Sequence, residues 1–108
     1  MTIPLSTLRK FAELSNHHKN THATLVVKGG AILAHGYNYG TIHSEVNALN
    51  KLWPSKRKGV TLINIMITRR KKTIGTSKPC VNCMRYLREN KIRKVIFSTS
   101  EGFQEEKL

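Results

Sequence analysis

The segment from Gly59 to Arg69, GVTLINIMITR, constrains the fold of this chain more than any other. It is an almost continuous run of apolar and β-branched residues, whereas a strand with one face in water would alternate apolar and polar residues. Such a run is typical of a strand in the middle of a sheet, with both faces buried. The sheet around it therefore needs helices packed on its faces.

The neighbouring segments supply these helices and further strands. Apolar residues at helical spacing predict a helix in PLSTLRKFAEL, and two apolar runs around a Gly-Gly pair predict a β-hairpin over residues 22–38. A helix from Ile42 to Trp53, which Pro54 would end, a helix in CVNCMRYLREN and a strand in RKVIFSTS follow. The order α-β-β-α-β-α-β predicts a single α/β domain over residues 1–108, with a mixed sheet of about four strands.

The charge balance narrows the partners that this protein can have. Nineteen Lys and Arg residues oppose six acidic residues, which gives a net charge of +13. Such an excess favours a polyanionic partner, nucleic acid or a nucleotide, and a solvated basic surface is the alternative. The residues expected to contact phosphates form two clusters: Lys56, Arg57 and Lys58, and Arg69, Arg70, Lys71 and Lys72.

The sequence also bears on the location of the protein. No apolar run approaches the roughly 20 residues that cross a bilayer, so no membrane partner is expected. The first residues, MTIPLSTLRKFAEL, lack the charged and apolar regions of a signal peptide. We therefore expect an intracellular protein, cytoplasmic or nuclear, that is not secreted.

Cys80 and Cys83 are too few and too close for a disulfide scaffold, and in a reducing compartment such a pair binds a metal or acts in redox chemistry.

Two of the predicted helices begin with residues that can bind a metal ion. His43 and Glu45 lie at the start of one helix, and Cys80 and Cys83 lie in the first turn of the other. Residues at i and i+3 share one helix face, so both sulfur atoms can reach a single ion. An imidazole and two thiolates leave the fourth position of tetrahedral zinc open to water, as in catalytic zinc sites. Glu45 is then placed to take a proton from this water and to deliver protons to the substrate.

The H-x-E…P-C-x-x-C pattern formed by these residues resembles the signature of zinc-dependent nucleobase deaminases. From about residue 24 to residue 100 the chain is similar to the cytidine deaminase-like superfamily, which implies a three-layer α/β/α fold and hydrolytic deamination of cytosine to uracil. The resemblance assigns zinc binding to His43, Cys80 and Cys83, and general acid–base catalysis to Glu45.

The same resemblance has implications outside the zinc ligands. It matches Pro79 to the proline before the first cysteine, and Asn38 to an asparagine that many members aim at the nucleoside. Residues 101–108 are expected to form a short acidic tail in place of the family's further C-terminal elements. Assembly into a homo-oligomer would then have to replace those elements.

The chain departs from the family pattern next to the proline. Lys78 stands where tRNA adenosine deaminases typically have glutamate and many cytidine deaminases have serine, so Lys78 is expected to contact the substrate without identifying the base. The interval between His43 and Cys80 is longer than in compact members, and the added length is basic, in residues 55–59 or 69–78. The substrate is left open between a (deoxy)cytidine nucleotide and cytosine in DNA or RNA, and the charge favours nucleic acid.

Two other functions remain open from the sequence. A non-catalytic protein that binds nucleic acid would use zinc only to join two helices, and Glu45 would then have no role. A redox protein would use the two cysteines alone and would need neither His43 nor Glu45.

Other conspicuous side chains are assigned no chemistry. The aromatic side chains of Trp53 and Phe97 are expected in the core. Three histidines at a helix end and a strand start, His17, His18 and His22, are expected at the surface.

Overall fold

A computed structural model of the chain describes residues 4–15 and 20–108, so the predictions for His17 and His18 lie outside the described residues. The elements in these ranges are α1 (Leu5–Ala12), β1 (Asn20–Lys28), β2 (Ala31–Tyr37), α2 (Ser44–Leu49), α3 (Pro54–Arg57), β3 (Thr61–Thr68), β4 (Ile74–Gly75), α4 (Val81–Glu89), β5 (Lys94–Thr99) and β6 (Gly102–Lys107). None of these helices has the length and apolar character needed to span a bilayer.

The strands form one mixed sheet with β3 at its centre. The order is β2-β1-β3-β5-β6, and the short strand β4 also pairs with β3. Strands β3 and β5 are parallel and are joined through α4, whereas the other pairs are antiparallel. On one side of β3, residues 61–64 pair with β5 and residues 66–67 pair with β4. The continuous apolar strand therefore occupies the middle of the sheet, as its composition predicted.

The side chains of the sheet alternate between two apolar cores, one on each face. Leu62 and Val26 lie in the core beneath α2 and α4, together with Leu87 of α4. Ile63 lies in the opposite core, against Leu8 of α1. The sheet is thus covered on both faces, and the predicted α/β/α arrangement is confirmed.

The helix that begins at Ser44 is shorter than predicted. It ends at Leu49 instead of continuing to Trp53. Pro54 begins α3 rather than ending a long helix, because proline is well accommodated at the first position of a helix. Trp53 follows the end of α2 and is 79% exposed, so its predicted place in the core is wrong, while Phe97 is buried as predicted.

The C-terminal residues, predicted as a short acidic tail, form the edge strand β6. Residues 102–107 pair antiparallel with the whole of β5. Phe103 packs against the core beneath α1, and Leu108 packs against the core beneath α4. Together with β4, this strand extends the predicted sheet of about four strands.

Candidate active site

The start of α2 presents a histidine and a glutamate side by side. His43 precedes the helix with an extended backbone (φ −73°, ψ 153°), and its carbonyl accepts a hydrogen bond from the Asn47 N–H at 3.0 Å. His43 is exposed, whereas Glu45, in the first turn, is only 5% exposed. The first residues of α2 therefore combine an accessible imidazole with a buried carboxylate.

The start of α4 presents the two cysteines. Pro79 is buried and precedes Cys80, whose carbonyl accepts a hydrogen bond from the Met84 N–H at 2.8 Å. Cys80 is exposed, and Cys83, one turn further, is buried. Both sulfur atoms belong to the start of the helix and, three residues apart, share one helix face.

The two helix starts meet at a cluster that fits a zinc ion. Nδ1 of His43 lies 3.1 Å from Sγ of Cys83, and the ligand atoms of His43, Cys80 and Cys83 all lie within 4.8 Å of one another. With zinc bonds of about 2.3 Å to sulfur and about 2.0 Å to nitrogen, tetrahedral ligand atoms are roughly 3.5–3.8 Å apart. Small adjustments bring the three residues to that spacing. Thiolate and imidazole donors favour zinc over the hard cations magnesium and calcium.

The ionisation of Cys83 depends on a bound cation. Burial, followed by the negative charge of Glu45 and by Cys80, raises the pKa of the Cys83 thiol to about 12. Without a cation this residue is therefore a neutral thiol at neutral pH. Because a metal ligand must be deprotonated, a zinc ion would supply the positive charge that offsets burial and the carboxylate.

Glu45 is held beside these ligands by its neighbour. The hydroxyl of Ser44, which is 1% exposed, donates a hydrogen bond to Oε1 of Glu45 at 2.9 Å. The carboxylate is also close enough to Cys83 to raise the pKa of that thiol. A fixed, buried carboxylate at this place can exchange protons with a reactant next to the metal.

A pocket of about 350 Å³ opens over these residues. Residues 40–45 and 77–80 form most of its wall, and His22 and Asn38 complete it. The volume lies within the range of sites that bind small molecules. His43, Cys80 and the carboxylate of Glu45 are therefore accessible to a small-molecule ligand.

Asn38 lies in the pocket wall, but its amide is already engaged within the protein. Oδ1 accepts hydrogen bonds from the Ser15 hydroxyl and from the His22 N–H, and Nδ2 donates one to the Asn20 carbonyl at 3.1 Å. Because Nδ2 carries two hydrogens, it can still donate one to a substrate. The substrate contact of Asn38 stays a prediction, and internal bonds fix the position of its side chain.

Lys78 also lines the pocket, as expected of a residue that contacts the substrate. Its side chain is 53% exposed, and its ammonium lies 3.6 Å from the carboxylate of Glu106 on β6. An ion pair this exposed contributes little to stability, so another anion can replace the carboxylate at low cost. The strand that the sequence did not predict thus places an acidic group beside Lys78 of the pocket wall.

The first basic cluster lies away from the pocket. Lys56, Arg57 and Lys58 belong to α3 and its end, and the guanidinium of Arg57 donates a hydrogen bond to Asn90 at 3.0 Å. Asn90 follows the last residue of α4, whereas Cys80 precedes the first. The cluster is therefore at the opposite end of α4 from the zinc ligands.

The second basic cluster, Arg69, Arg70, Lys71 and Lys72, lies in the turn after β3. The guanidinium of Arg69 donates a hydrogen bond to the Ser15 carbonyl at 2.6 Å. Arg69 and Lys72 border a separate, smaller depression of about 110 Å³ next to α1. Neither cluster lines the zinc pocket, so the predicted phosphate contacts would lie outside it.

Sequence reasoning did not identify six residues of the pocket wall: His22, Gly40, Thr41, Ile42, Ser44 and Ser77. His22 was predicted at the surface and is half-buried. Ser44 is the middle residue of the H-x-E motif, and Ser77 lies two residues before the proline of the second motif. That adjacency is a signal that could have identified both serines. His22 has no such signal, because its place depends on the pairing of β1 within the sheet.

Comparison with known proteins agrees with this geometry. A family model described as the cytidine and deoxycytidylate deaminase zinc-binding region matches residues 5–99. The apo crystal structure of dCMP deaminase from the cyanophage S-TIM5 has 27% sequence identity and a TM-score of 0.54, and the match covers 87% of this chain and 82% of the phage protein. RibD from Acinetobacter baumannii shares the fold at 19% identity and a TM-score of 0.56, over 82% of this chain and 24% of RibD. No curated protein sequence matches the chain significantly.

The zinc prediction is confirmed by two of these observations together. The matched family region is a zinc-binding region, and His43, Cys80 and Cys83 cluster as a zinc site requires. The individual roles predicted for Glu45, Asn38 and the basic residues are matters of proposal.

Proposed function

Because the chain belongs to the cytidine and deoxycytidylate deaminase family, we propose that it hydrolyses the amino group from a cytosine base. One observation carries the proposal. The zinc ligands His43, Cys80 and Cys83 meet at a pocket that also contains the buried carboxylate of Glu45. A metal site and an acid–base group open to one ligand are what hydrolytic deamination requires.

The reaction adds water to C4 of cytosine and breaks the bond from C4 to the exocyclic nitrogen. A zinc ion held by His43, Cys80 and Cys83 would lower the pKa of a water molecule and so make it a nucleophile near neutral pH. Glu45 accepts one proton from the water and donates it to N3 of the ring, then accepts the remaining proton of the added hydroxyl and donates it to the departing amine. One water is consumed, and uracil and ammonia are the products.

Similarity to a dCMP deaminase supports a cytosine nucleotide as the reacting unit. Among the described residues that line the pocket, Lys78 is the one Lys or Arg side chain. A single cation at the pocket suits a single phosphate attached to the bound nucleoside. Lys78 is therefore the residue assigned to that phosphate.

The remaining charge supports cytosine within nucleic acid as the substrate. The ammonium of Lys28 lies 3.5 Å from the carbonyl of Lys58, and backbone hydrogen bonds bring Lys91 and Arg93 to residues 59–60 of the same loop. We refer to Lys28, Lys58, Lys91 and Arg93 as the basic end. It lies beyond the C-terminal end of α4, which at nine residues is about 13 Å long.

The distance between the basic end and the zinc ligands gives a test of substrate length. A mononucleotide at the zinc site does not reach the basic end, whereas a longer strand does. KM should therefore fall as an oligonucleotide substrate is lengthened, with little change in kcat, and its binding should weaken steeply with salt. An equal KM for dCMP and for long single strands would instead assign the reaction to the free nucleotide.

A second function is favoured by the same separation. Because the basic end lies apart from the pocket, the protein can bind nucleic acid without any reaction at the zinc site. Under that alternative Glu45 has no role, and zinc serves to hold the starts of α2 and α4 together.

A deamination assay by mass spectrometry separates the two functions. The zinc-loaded protein is incubated with cytidine, deoxycytidine, their monophosphates, single-stranded DNA and RNA, and tRNA. Glu45→Gln is compared with Glu89→Gln, which changes an exposed glutamate of α4. Turnover that persists in Glu89→Gln and vanishes in Glu45→Gln supports the deaminase. Nucleic-acid binding without turnover on any substrate would leave the second function.

The assembly and the cellular location complete the proposal. A homo-oligomer stays a prediction from the sequence. Light scattering in solution gives the mass that tests this point. An intracellular location stays a prediction that cell fractionation can check.

A further inference from the structure

A chain of buried polar groups connects the centre of the sheet to Glu45. Thr24 on β1 and Asn64 on β3 face each other directly across the two strands, and each is at most 1% exposed. The hydroxyl oxygen of Thr24 lies 2.7 Å from Oδ1 of Asn64 and 2.8 Å from Oγ of Ser44. Ser44 donates in turn to Oε1 of Glu45 at 2.9 Å.

Asn64 also reaches the segment that carries the cysteines. Its side-chain Nδ2 donates to the backbone carbonyl of Ser77 at 3.4 Å. The Ser77 hydroxyl donates to the backbone carbonyl of Asn64 at 3.0 Å. On its other side Ser77 is held by Ser98, whose N–H donates to the Ser77 hydroxyl oxygen at 2.8 Å. Since Cys80 is three residues after Ser77, these bonds fix where the chain enters α4.

The two ends of the Asn64 amide have distinct partners. A carbonyl oxygen only accepts hydrogen bonds, so Nδ2 must face Ser77, and Oδ1 consequently faces the hydroxyl of Thr24. Thr24 has a single hydroxyl hydrogen, which Oδ1 of Asn64 and Oγ of Ser44 share as acceptors, because Ser44 gives its own hydrogen to Glu45. Thr24 therefore lies between the half of the site that carries Glu45 and the half that Asn64 contacts through Ser77. Paired polar groups in a core add little net stability, so stability alone does not account for them here.

Resting for its catalytic part on the proposed deaminase function, we propose that Thr24, Ser44 and Asn64 are positioning residues. Thr24 and Ser44 hold the carboxylate of Glu45 in the orientation that proton transfer needs. Asn64, through Ser77, holds the start of α4 so that Cys80 reaches zinc. The positions of Glu45 and of Cys80 thus both depend on the central strand β3. Proton transfer is sensitive to displacements of about 1 Å.

Substitution of Thr24 tests the link to the carboxylate. Thr24→Val keeps the shape of the side chain and removes its hydroxyl, and Thr24→Ser keeps the hydroxyl. We expect Thr24→Val to lower kcat on the order of tenfold with little change in KM, because Glu45 acts in the transition state, and Thr24→Ser to restore most of the rate. Thr21→Val is the matched control, since this buried threonine of the same strand donates to the Ile67 carbonyl, away from the site.

Zinc affinity tests the link to Cys80. It is measured by competition with a chelator for Ser77→Ala, Asn64→Leu and Thr24→Val. Loss of a group that orients a metal ligand typically weakens binding about 10–100-fold, and this loss is expected for Ser77→Ala and Asn64→Leu. Thr24→Val should bind zinc like the wild type. If circular dichroism shows that Asn64→Leu does not fold, Ser77→Ala alone carries this measurement.

The outcomes distinguish this inference from the proposed function. A wild-type kcat in Thr24→Val, or a Thr24→Ser variant as slow as Thr24→Val, overturns the link to Glu45. Unchanged zinc affinity in Ser77→Ala overturns the link to Cys80. If the wild type turns over no substrate, the proposed function fails, and zinc affinity alone then tests the inference. Weaker zinc binding in Ser77→Ala supports the inference, and unchanged zinc binding overturns it.

Discussion

Gly36 allows α2 to lie directly on β2, and the substitution Gly36→Ala tests how closely that helix must approach. A Cβ atom here would lie 2.4 Å from the backbone nitrogen of Ala48 and 2.6 Å from the carbonyl oxygen of Ser44. Ordinary contacts of a Cβ atom begin at 3.4 Å. Since both neighbours are backbone atoms, α2 would have to move by about 1 Å to relieve the overlap.

The displaced helix start carries the groups that the reaction needs. An overpacked core typically costs about 1–3 kcal/mol of unfolding free energy, and each kcal/mol lowers Tm by roughly 4–8 °C in a domain near this size. A misplacement of about 1 Å at reacting groups can reduce turnover on the order of 100-fold. We therefore expect Gly36→Ala to lower Tm, to weaken zinc binding through His43, and to lose most of the activity that depends on Glu45.

Gly75→Ala provides the matched control for this experiment. Its Cβ atom would lie 2.3 Å from Cε of Met66, which is the mobile end of a flexible side chain and can rotate away. Thermal unfolding by circular dichroism, zinc content and deamination rate are measured for both variants. If Gly36→Ala matches Gly75→Ala and the wild type in all three, the close approach of α2 does not matter and the reasoning fails.

Three further predictions follow from the charges and the metal. Because the pKa of Cys83 is raised to about 12 without a cation, zinc binding to the apo-protein should release a proton from this thiol at neutral pH, detected by titration in weak buffer; no proton release would contradict it. Burial, assisted by Lys51, lowers the pKa of His35 from 6.5, so protonation favours the unfolded chain. Unfolding free energy should therefore decrease as pH falls below about 6.5, and less so in His35→Gln, as measured by urea titration. Lys28→Gln and Lys58→Gln should each reduce the salt slope of oligonucleotide binding by about one without changing kcat for dCMP; an unchanged slope would remove these residues from the interface.

The elements predicted best from the sequence are those whose pattern depends on burial alone. The apolar run of β3 and the Gly-Gly hairpin of β1 and β2 can be predicted from the local sequence alone. The end of α2 was placed too late because Trp53 continues the helical spacing, although the helix already ends at Leu49. Strand β6 was missed because polar and charged residues fill most of it, and only its pairing with β5 shows it to be a strand.

The parts of the candidate site that could be predicted are those whose residues lie close together in a short sequence motif. H-x-E and C-x-x-C fix four residues on two helix starts, and the structure brings three of them, His43, Cys80 and Cys83, into the cluster expected for zinc. The place of Lys56 to Lys58 was not predictable, since proximity in sequence to α2 says nothing about which end of α4 they approach. Nor could the sequence show that the amide of Asn38 is bonded to Ser15, which follows α1, and to two residues of β1, because those bonds depend on how the elements pack.

The polar interruptions of the apolar strands carry information that the apolar pattern alone does not. Thr24 and Asn64 are forty residues apart, and each taken singly is an ordinary polar residue in a strand. A lone polar group in a core is unfavourable unless it is bonded, so each of them implies a partner. The register of β1 against β3 supplies that partner, and Gly36 on the other side of Thr24 lets Ser44 reach the same spot. The strand that most constrains the fold is therefore, at Asn64, also the strand that anchors the site.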